Sequence, residues 1–215
     1  APLAVYRAME MMSEAKRPLI LAGGGGWSDD GREMLKSFAE RSGLPVSCVF
    51  RFQDLMDNHS DCYVGDAGGG MSPHMKEMLV EADVILALGP RFGESTTDGY
   101  TIFTAPDPKQ TLIHVHASDR EIGKIYQPAL PIHAHPEAFL ETVAAINLPQ
   151  SDDRVAWTAR GRAGYLSTFD LPPQPGTLDM GEVMRHLTEV LPDDALLPNG
   201  AGNFAIWPNK LFRFG

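Results

Sequence analysis

The chain has 215 residues, 43% hydrophobic and 21% charged, with a net charge of −10. That acidic balance excludes the basic face a nucleic-acid binder needs to release counterions, and no apolar run approaches the length of a membrane span. One well-filled α/β domain plus part of a second fits this length.

Cys48 and Cys62 show no metal-type or redox-type spacing, which points to a reducing cytoplasm. The chain opens on Ala1 rather than Met, so the absence of a visible targeting segment carries little weight.

In chain order, residues 4–15 have helical spacing of Leu3, Tyr6, Ala8 and Met11, with Pro18 just past the end. Leu19-Ile20-Leu21 is a first strand. Ser28 can cap a helix over 29–42 that buries Met34, Leu35, Phe38 and Ala39 and stops at Gly43. Pro45–Val49 reads as a second strand, whereas 51–71, rich in Asp, Gly and His, has no readable order. Ser72-Pro73 opens a helix running to Ala82. Val84–Leu88 and Thr111–Val115 are the third and fourth strands. Ser118 is expected to cap a short helix carrying Ile122 and Ile125, Leu130–His133 is a fifth strand, and a helix covers 136–146.

The central strands are all-apolar runs that stop at Gly or a small polar residue, as strands buried on both faces require. The expected fold is therefore an α/β, Rossmann-like open sheet, mostly parallel, with helices on both faces. Residues 1–150 form that domain and 151–175 a linker with a helix. Leu171-Pro-Pro-Gln-Pro-Gly176 marks a boundary. Residues 176–215 then read as a helix, a strand at Ala195–Leu197, a turn at Asn199–Asn203 and a further helix, the truncated start of another domain.

Candidate sites follow from where glycines meet strand ends. Gly24 and Gly25 lie in a strand-to-helix turn that could admit a nucleotide phosphate, although the full dinucleotide fingerprint is missing and a tight packing turn is the competing reading. Arg91, after the third strand, could meet a ligand phosphate or, the favoured alternative, pair with Glu94 or Asp98. His114 and His116 share a strand face, as do His133 and His135, but nothing at matched spacing completes a metal set. The methionines at 9–12 and 71–78 read as core filler. No catalytic residue or Ser-His-Asp arrangement is visible. Asn199-Gly-Ala-Gly-Asn203 has two glycines that leave backbone donors bare, and Gly200, Gly202 and Asn203 would suit a diphosphate or form a structural turn.

Arg17-Pro-Leu-Ile-Leu-Ala-Gly-Gly-Gly, Gly43-Leu-Pro-Val46, Glu81-Ala-Asp-Val-Ile-Leu-Ala-Leu-Gly-Pro-Arg-Phe92 and Ile113-His-Val-His-Ala-Ser-Asp-Arg-Glu-Ile-Gly-Lys124 succeed one another in an order and spacing that resembles the central domain of thiamine-diphosphate-dependent enzymes of the acetolactate synthase and 2-oxoacid decarboxylase type. That domain is DHS-like. The resemblance implies a three-domain parent that uses thiamine diphosphate and Mg2+, acts on a 2-oxoacid and assembles as a homodimer or homotetramer. It also implies that the activating glutamate and the magnesium motif lie outside these residues, so the fragment is expected to bind neither cofactor nor metal and to be inactive alone. Flavin-binding relatives place carboxylates where His116 and Ala134-His135 stand and near Gly93; the departure at all three makes FAD doubtful. The alternative is a non-catalytic module that senses NAD, FAD or ADP; a stand-alone hydrolase is a third reading.

Overall fold

A computed structural model describes residues 2–149, 151–172, 174–192 and 194–215. Among them the chain forms α1 (Pro2–Glu14), β1 (Pro18–Ala22), α2 (Asp29–Ser42), β2 (Val46–Val49), β3 (Tyr63–Ala67), α3 (Pro73–Glu81), β4 (Val84–Leu88), β5 (Thr111–His116), β6 (Leu130–His133), α4 (Pro136–Val143), α5 (Asp152–Ser167), α6 (Met180–Val190) and α7 (Ile206–Leu211). The strands make one sheet in the order β3-β2-β1-β4-β5-β6, and every neighbouring pair is parallel. The order reverses between β1 and β4, which places the switch point of the sheet at their carboxyl ends.

Alternation within the buried strands divides the core into two layers. Ile20, Ala22, Leu86, Leu88, Ile113 and Val115 face one layer, filled from α1, α2 and α4 by Met12, Leu35, Phe38 and Phe139. Leu19, Leu21, Ile85, Ala87 and Leu112 face the other, filled from α3 and α5 by Met75, Met78 and Trp157. β1 and β4 are buried at every residue, and each large aliphatic side chain removed from water contributes about 1.5–3 kcal/mol. Met9, Met12, Met71, Met75 and Met78 are all core residues, as their sequence context implied.

Local signals explain most boundaries. Ser28 Oγ accepts the Gly31 N–H at 3.1 Å, and Gly43 ends α2 in the left-handed conformation at φ 62°. Three expectations need correction. Tyr63–Ala67, inside the stretch without readable order, is the edge strand β3. Only Tyr63 and Val64 of its five residues are large and apolar, so pairing with β2 and cover from α5 make it a strand. Residues 118–126 form turns rather than a helix; the Ser118 N–H donates to His116 Nδ1 at 2.9 Å instead of starting a helical ladder. Ala195–Leu197 is not a strand, because none of the sheet's edges reaches it.

α5 straps the β3 edge. Its buried Arg162 donates to the carbonyls of Asn58, Tyr63 and His59 at 2.9, 3.1 and 3.0 Å, and buried Arg154 donates to Ser42 O at 3.0 Å. Trp157 Nε1 donates to Pro18 O at 2.9 Å. Gly161 is where the helix touches the sheet: a Cβ there would lie 2.6 Å from Met78 Sδ and 2.7 Å from Val64 Cγ1. Beyond residue 174 the packing changes. Leu178, Val190, Leu196 and Phe204 are 64%, 56%, 93% and 55% exposed, a set of large apolar side chains without cover.

Candidate functional site

The switch point is built from two glycine turns that interlock. Gly24 follows β1 at φ 80°, and a Cβ on it would sit 2.3 Å from Gly89 O; Gly89 follows β4 at φ 78°, and its Cβ would sit 2.5 Å from Gly23 O. Both must be glycine because backbone meets backbone there in a conformation that L side chains resist. Gly25 has no heavy atom within 4 Å of its would-be Cβ and faces open space. Of the two sequence candidates in this turn, Gly24 is consumed by packing and Gly25 remains accessible.

Two residues not singled out as site candidates, Trp27 and Glu137, complete the turn together with His135, one of the paired histidines. Trp27 Nε1 donates to Gly23 O at 3.0 Å and folds the indole back over the loop. Glu137 on α4 accepts the Ser28 N–H, and its carboxylate fills the space a Cβ on Gly31 would need. His135 caps α4, accepting the Glu137 N–H at 3.4 Å, and its Nε2 lies 3.1 Å from the would-be Cβ of Gly26. The i, i+2 arrangement of a polar side chain before Pro136 was the available signal for His135.

Arg91 does reach a carboxylate, but not Glu94 or Asp98. Its Nε stands 3.9 Å from Glu121, which also holds Lys124 at 3.2 Å, while Asp98 pairs with Lys76 at 2.6 Å. Glu121 belongs to the loop after β5, which the parallel order brings beside the end of β4. Lys124 and then Arg91 hold its carboxyl below the ordinary range. At 75% exposure the Arg91 guanidinium still presents donors to solvent.

His114 and His116 share a face as expected, with ring centroids 5.8 Å apart, but their surroundings differ. His114 is buried, donates from Nε2 to Pro90 O at 3.1 Å and packs edge-on to Phe92. Burial pushes its pKa down to about 4, so it is neutral and structural at pH 7. Among the described residues no group of three His, Cys, Asp or Glu side chains is placed to hold a metal ion.

The second candidate turn lines a cavity of about 970 Å³. Gly202 and Asn203 lie on its wall together with Arg32, Arg51 and Arg213; Gly200 lies next to this wall in the chain. A Cβ on Gly202 would lie 2.5 Å from the Phe204 ring, so this glycine lets the aromatic tuck beneath the turn. The N–H groups of Gly200, Ala201 and Gly202 donate to nothing among the described residues.

Residues 5–143 match the family of the thiamine pyrophosphate enzyme central domain. The chain belongs to this family. It is also similar over nearly its whole length to acetolactate synthase large subunits. The identity is 28% with the protein of Corynebacterium glutamicum (98% of this chain, 34% of that protein) and 26% with that of Parasynechococcus marenigrum (99% and 34%). A probable acetolactate synthase large subunit of Methanocaldococcus jannaschii is 26% identical over 99% of this chain and 37% of its own length. The chain thus spans about a third of the relatives it matches.

Membership in the thiamine pyrophosphate family allows the cofactors to be tested against the residues present. The bare N–H donors of the Asn199–Asn203 turn suit a diphosphate, although the cavity they adjoin is lined by Asp54, Asp57 and Asp194 as well as by Arg32, Arg51 and Arg213. For FAD the switch point offers no matching carboxylate at two of the positions in question. His116 and His135 stand at the positions that the resemblance assigns to carboxylates, and each ring already accepts a neighbouring backbone N–H. Among the described residues no helix is long and apolar enough to cross a membrane.

Proposed function

We propose that this chain is the middle portion of a thiamine-diphosphate- and magnesium-dependent enzyme that decarboxylates or joins 2-oxoacids in the manner of an acetolactate synthase. The observation that carries this reading is the contrast in cover: the sheet closes over both its layers, while Leu178, Val190, Leu196 and Phe204 stand uncovered beyond residue 174. Such a face is completed by more protein. Relatives about three times as long supply the precedent for what that protein is. In this reading the partners are the pyrimidine- and diphosphate-binding portions of the parent, assembled as a homodimer or homotetramer, and the compartment is the cytoplasm, consistent with two buried free cysteines.

Thiamine diphosphate, when bound, supplies the electron sink for carbanion chemistry. This chain's contribution is positional. Backbone N–H groups of Gly200, Gly202 and Asn203 would hold the diphosphate, and the switch-point turns keep the central sheet rigid beside it. No described residue is assigned a catalytic role, so the chain alone is inactive in this reading. Assaying the 215-residue chain for pyruvate consumption with thiamine diphosphate and Mg2+, beside a chain extended to its relatives' length, tests the proposal. Turnover confined to the longer chain is expected; turnover by the 215-residue chain overturns it.

A further inference from the structure

Away from both turns, a cavity of about 400 Å³ opens at the carboxyl end of β3, between the start of α3, α5 and α7. Its volume is that of a small-molecule site. Met71, Leu171, Ile206, Trp207 and Leu211 make its walls apolar, and Asp66 and Lys210 bring the two charges.

The polar groups here divide into two kinds. Ser72 Oγ–H donates to His74 Nδ1 at 2.8 Å, and His74 Nε2–H donates to Val64 O at 3.0 Å, so that pair is satisfied internally. Asp66 and Lys210 are not. Among the described residues the Asp66 carboxylate accepts only from its own backbone N–H, and Lys210 Nζ makes no hydrogen bond or ion pair. Burial raises the Asp66 pKa to about 6, and Lys210 acts against that rise, which shows the two charges feel each other. Yet they do not come within ion-pair distance. The buried Asp66 charge is costly at an apolar cavity, and a bridging group that pairs with it and with the partly exposed Lys210 ammonium removes that cost.

We infer that this cavity binds a small zwitterion of the apolar α-amino acid class, its ammonium on Asp66, its carboxylate on Lys210 and its side chain against Met71, Ile206 and Trp207. A ligand with one charge would satisfy one residue and be repelled by the other. A neutral apolar molecule would leave both unpaired. The site is independent of thiamine diphosphate, which is placed at the Asn199–Asn203 turn.

Calorimetric titration of the 215-residue chain with leucine, its methyl ester and N-acetylleucine tests this without relying on any variant's folding. Leucine is expected to bind, and each blocked form to bind at least ten-fold more weakly, the ester lacking the group for Lys210 and the acetyl form lacking the group for Asp66. Asp66→Asn should then abolish the penalty for N-acetylation, and Lys210→Met the penalty for esterification, each in protein whose circular dichroism is unchanged. Equal binding of all three forms would reduce the cavity to an apolar hole, and absence of leucine binding at millimolar concentration would remove the proposal altogether. Neither result would touch the assignment of the chain to the middle of a longer enzyme, which is read from turnover.

Discussion

The two glycine turns of this molecule look alike in sequence and differ in what their glycines are for. At the switch point, Gly24 and Gly89 are glycine because two backbones touch, with would-be Cβ atoms 2.3 and 2.5 Å from carbonyl oxygens. In the tail, Gly202 is glycine because a movable aromatic ring lies under it, and Gly200 meets only the tip of that ring at 3.3 Å. The first turn is part of the packed sheet; the second belongs to a segment whose apolar side chains remain uncovered. A glycine-rich turn is therefore not by itself a ligand site: Gly24 and Gly89 are spent on backbone contact, and Gly202 on seating a ring that can move aside.

That contrast orders the expected effects of substitution. Gly24→Ala should destabilise the chain most, by about 3–5 kcal/mol, because left-handed strain adds to a collision with backbone. Gly25→Ala, one residue away and facing open space, should change stability by less than about 0.5 kcal/mol. Urea denaturation of the pair measures both, and equal losses would break the distinction between packed and accessible glycines. Arg162→Ala on α5 should cost about 3 kcal/mol, since three carbonyls of the β3 edge lose their donor. Thermal melts should show that loss, and an unchanged melt would mean the strap is dispensable.

The pH dependence contains two opposing contributions, one from each side of the sheet. Asp66 is raised from 3.8 to about 6, so the folded chain holds its proton longer than the unfolded chain, and stability falls as pH rises through that window. His114 is lowered from 6.5 to about 4, so the unfolded chain takes up its proton first, and stability falls as pH drops through nearly the same window. The two cancel in the native sequence between about pH 4 and 6. Asp66→Asn should uncover a loss of about 2–3 kcal/mol on acidification, and His114→Phe should uncover a gain of similar size. Denaturation midpoints at half-unit pH steps measure the slopes; parallel slopes in all three proteins would refute the opposition. The smallest effect is expected in the tail: Leu196→Ser, at a residue 93% exposed, should leave stability within about 0.5 kcal/mol while lowering light scattering by the concentrated chain.

What could be read from residues alone follows the same division. β1 and β4 announce themselves because strands buried on both faces carry uninterrupted apolar runs, and β5 does so with only His114 breaking its run. β3 does not, since Gly65 and Asp66 occupy it and its identity depends on β2 and α5, which are distant in sequence. Ala195–Leu197 has the apolar composition of a strand without a neighbour to pair with, so composition misleads there. The partner of Arg91 was hidden for a related reason: Glu121 is remote along the chain and becomes adjacent only through the order of the sheet. The opposed charges of Asp66 and Lys210 are brought to one cavity by the fold of α7 onto the β3 edge, which no local pattern records.

The three tryptophans happen to fall one to each region. Trp27 lies on the first glycine turn, Trp157 beneath the α5 strap and Trp207 on α7 at the tail. Leaving a single indole in each of three proteins would give three optical reporters of separate places, without any added label. If their fluorescence is lost at one temperature, the tail melts as part of the sheet; if Trp207 leads, the uncovered segment is a separate cooperative unit.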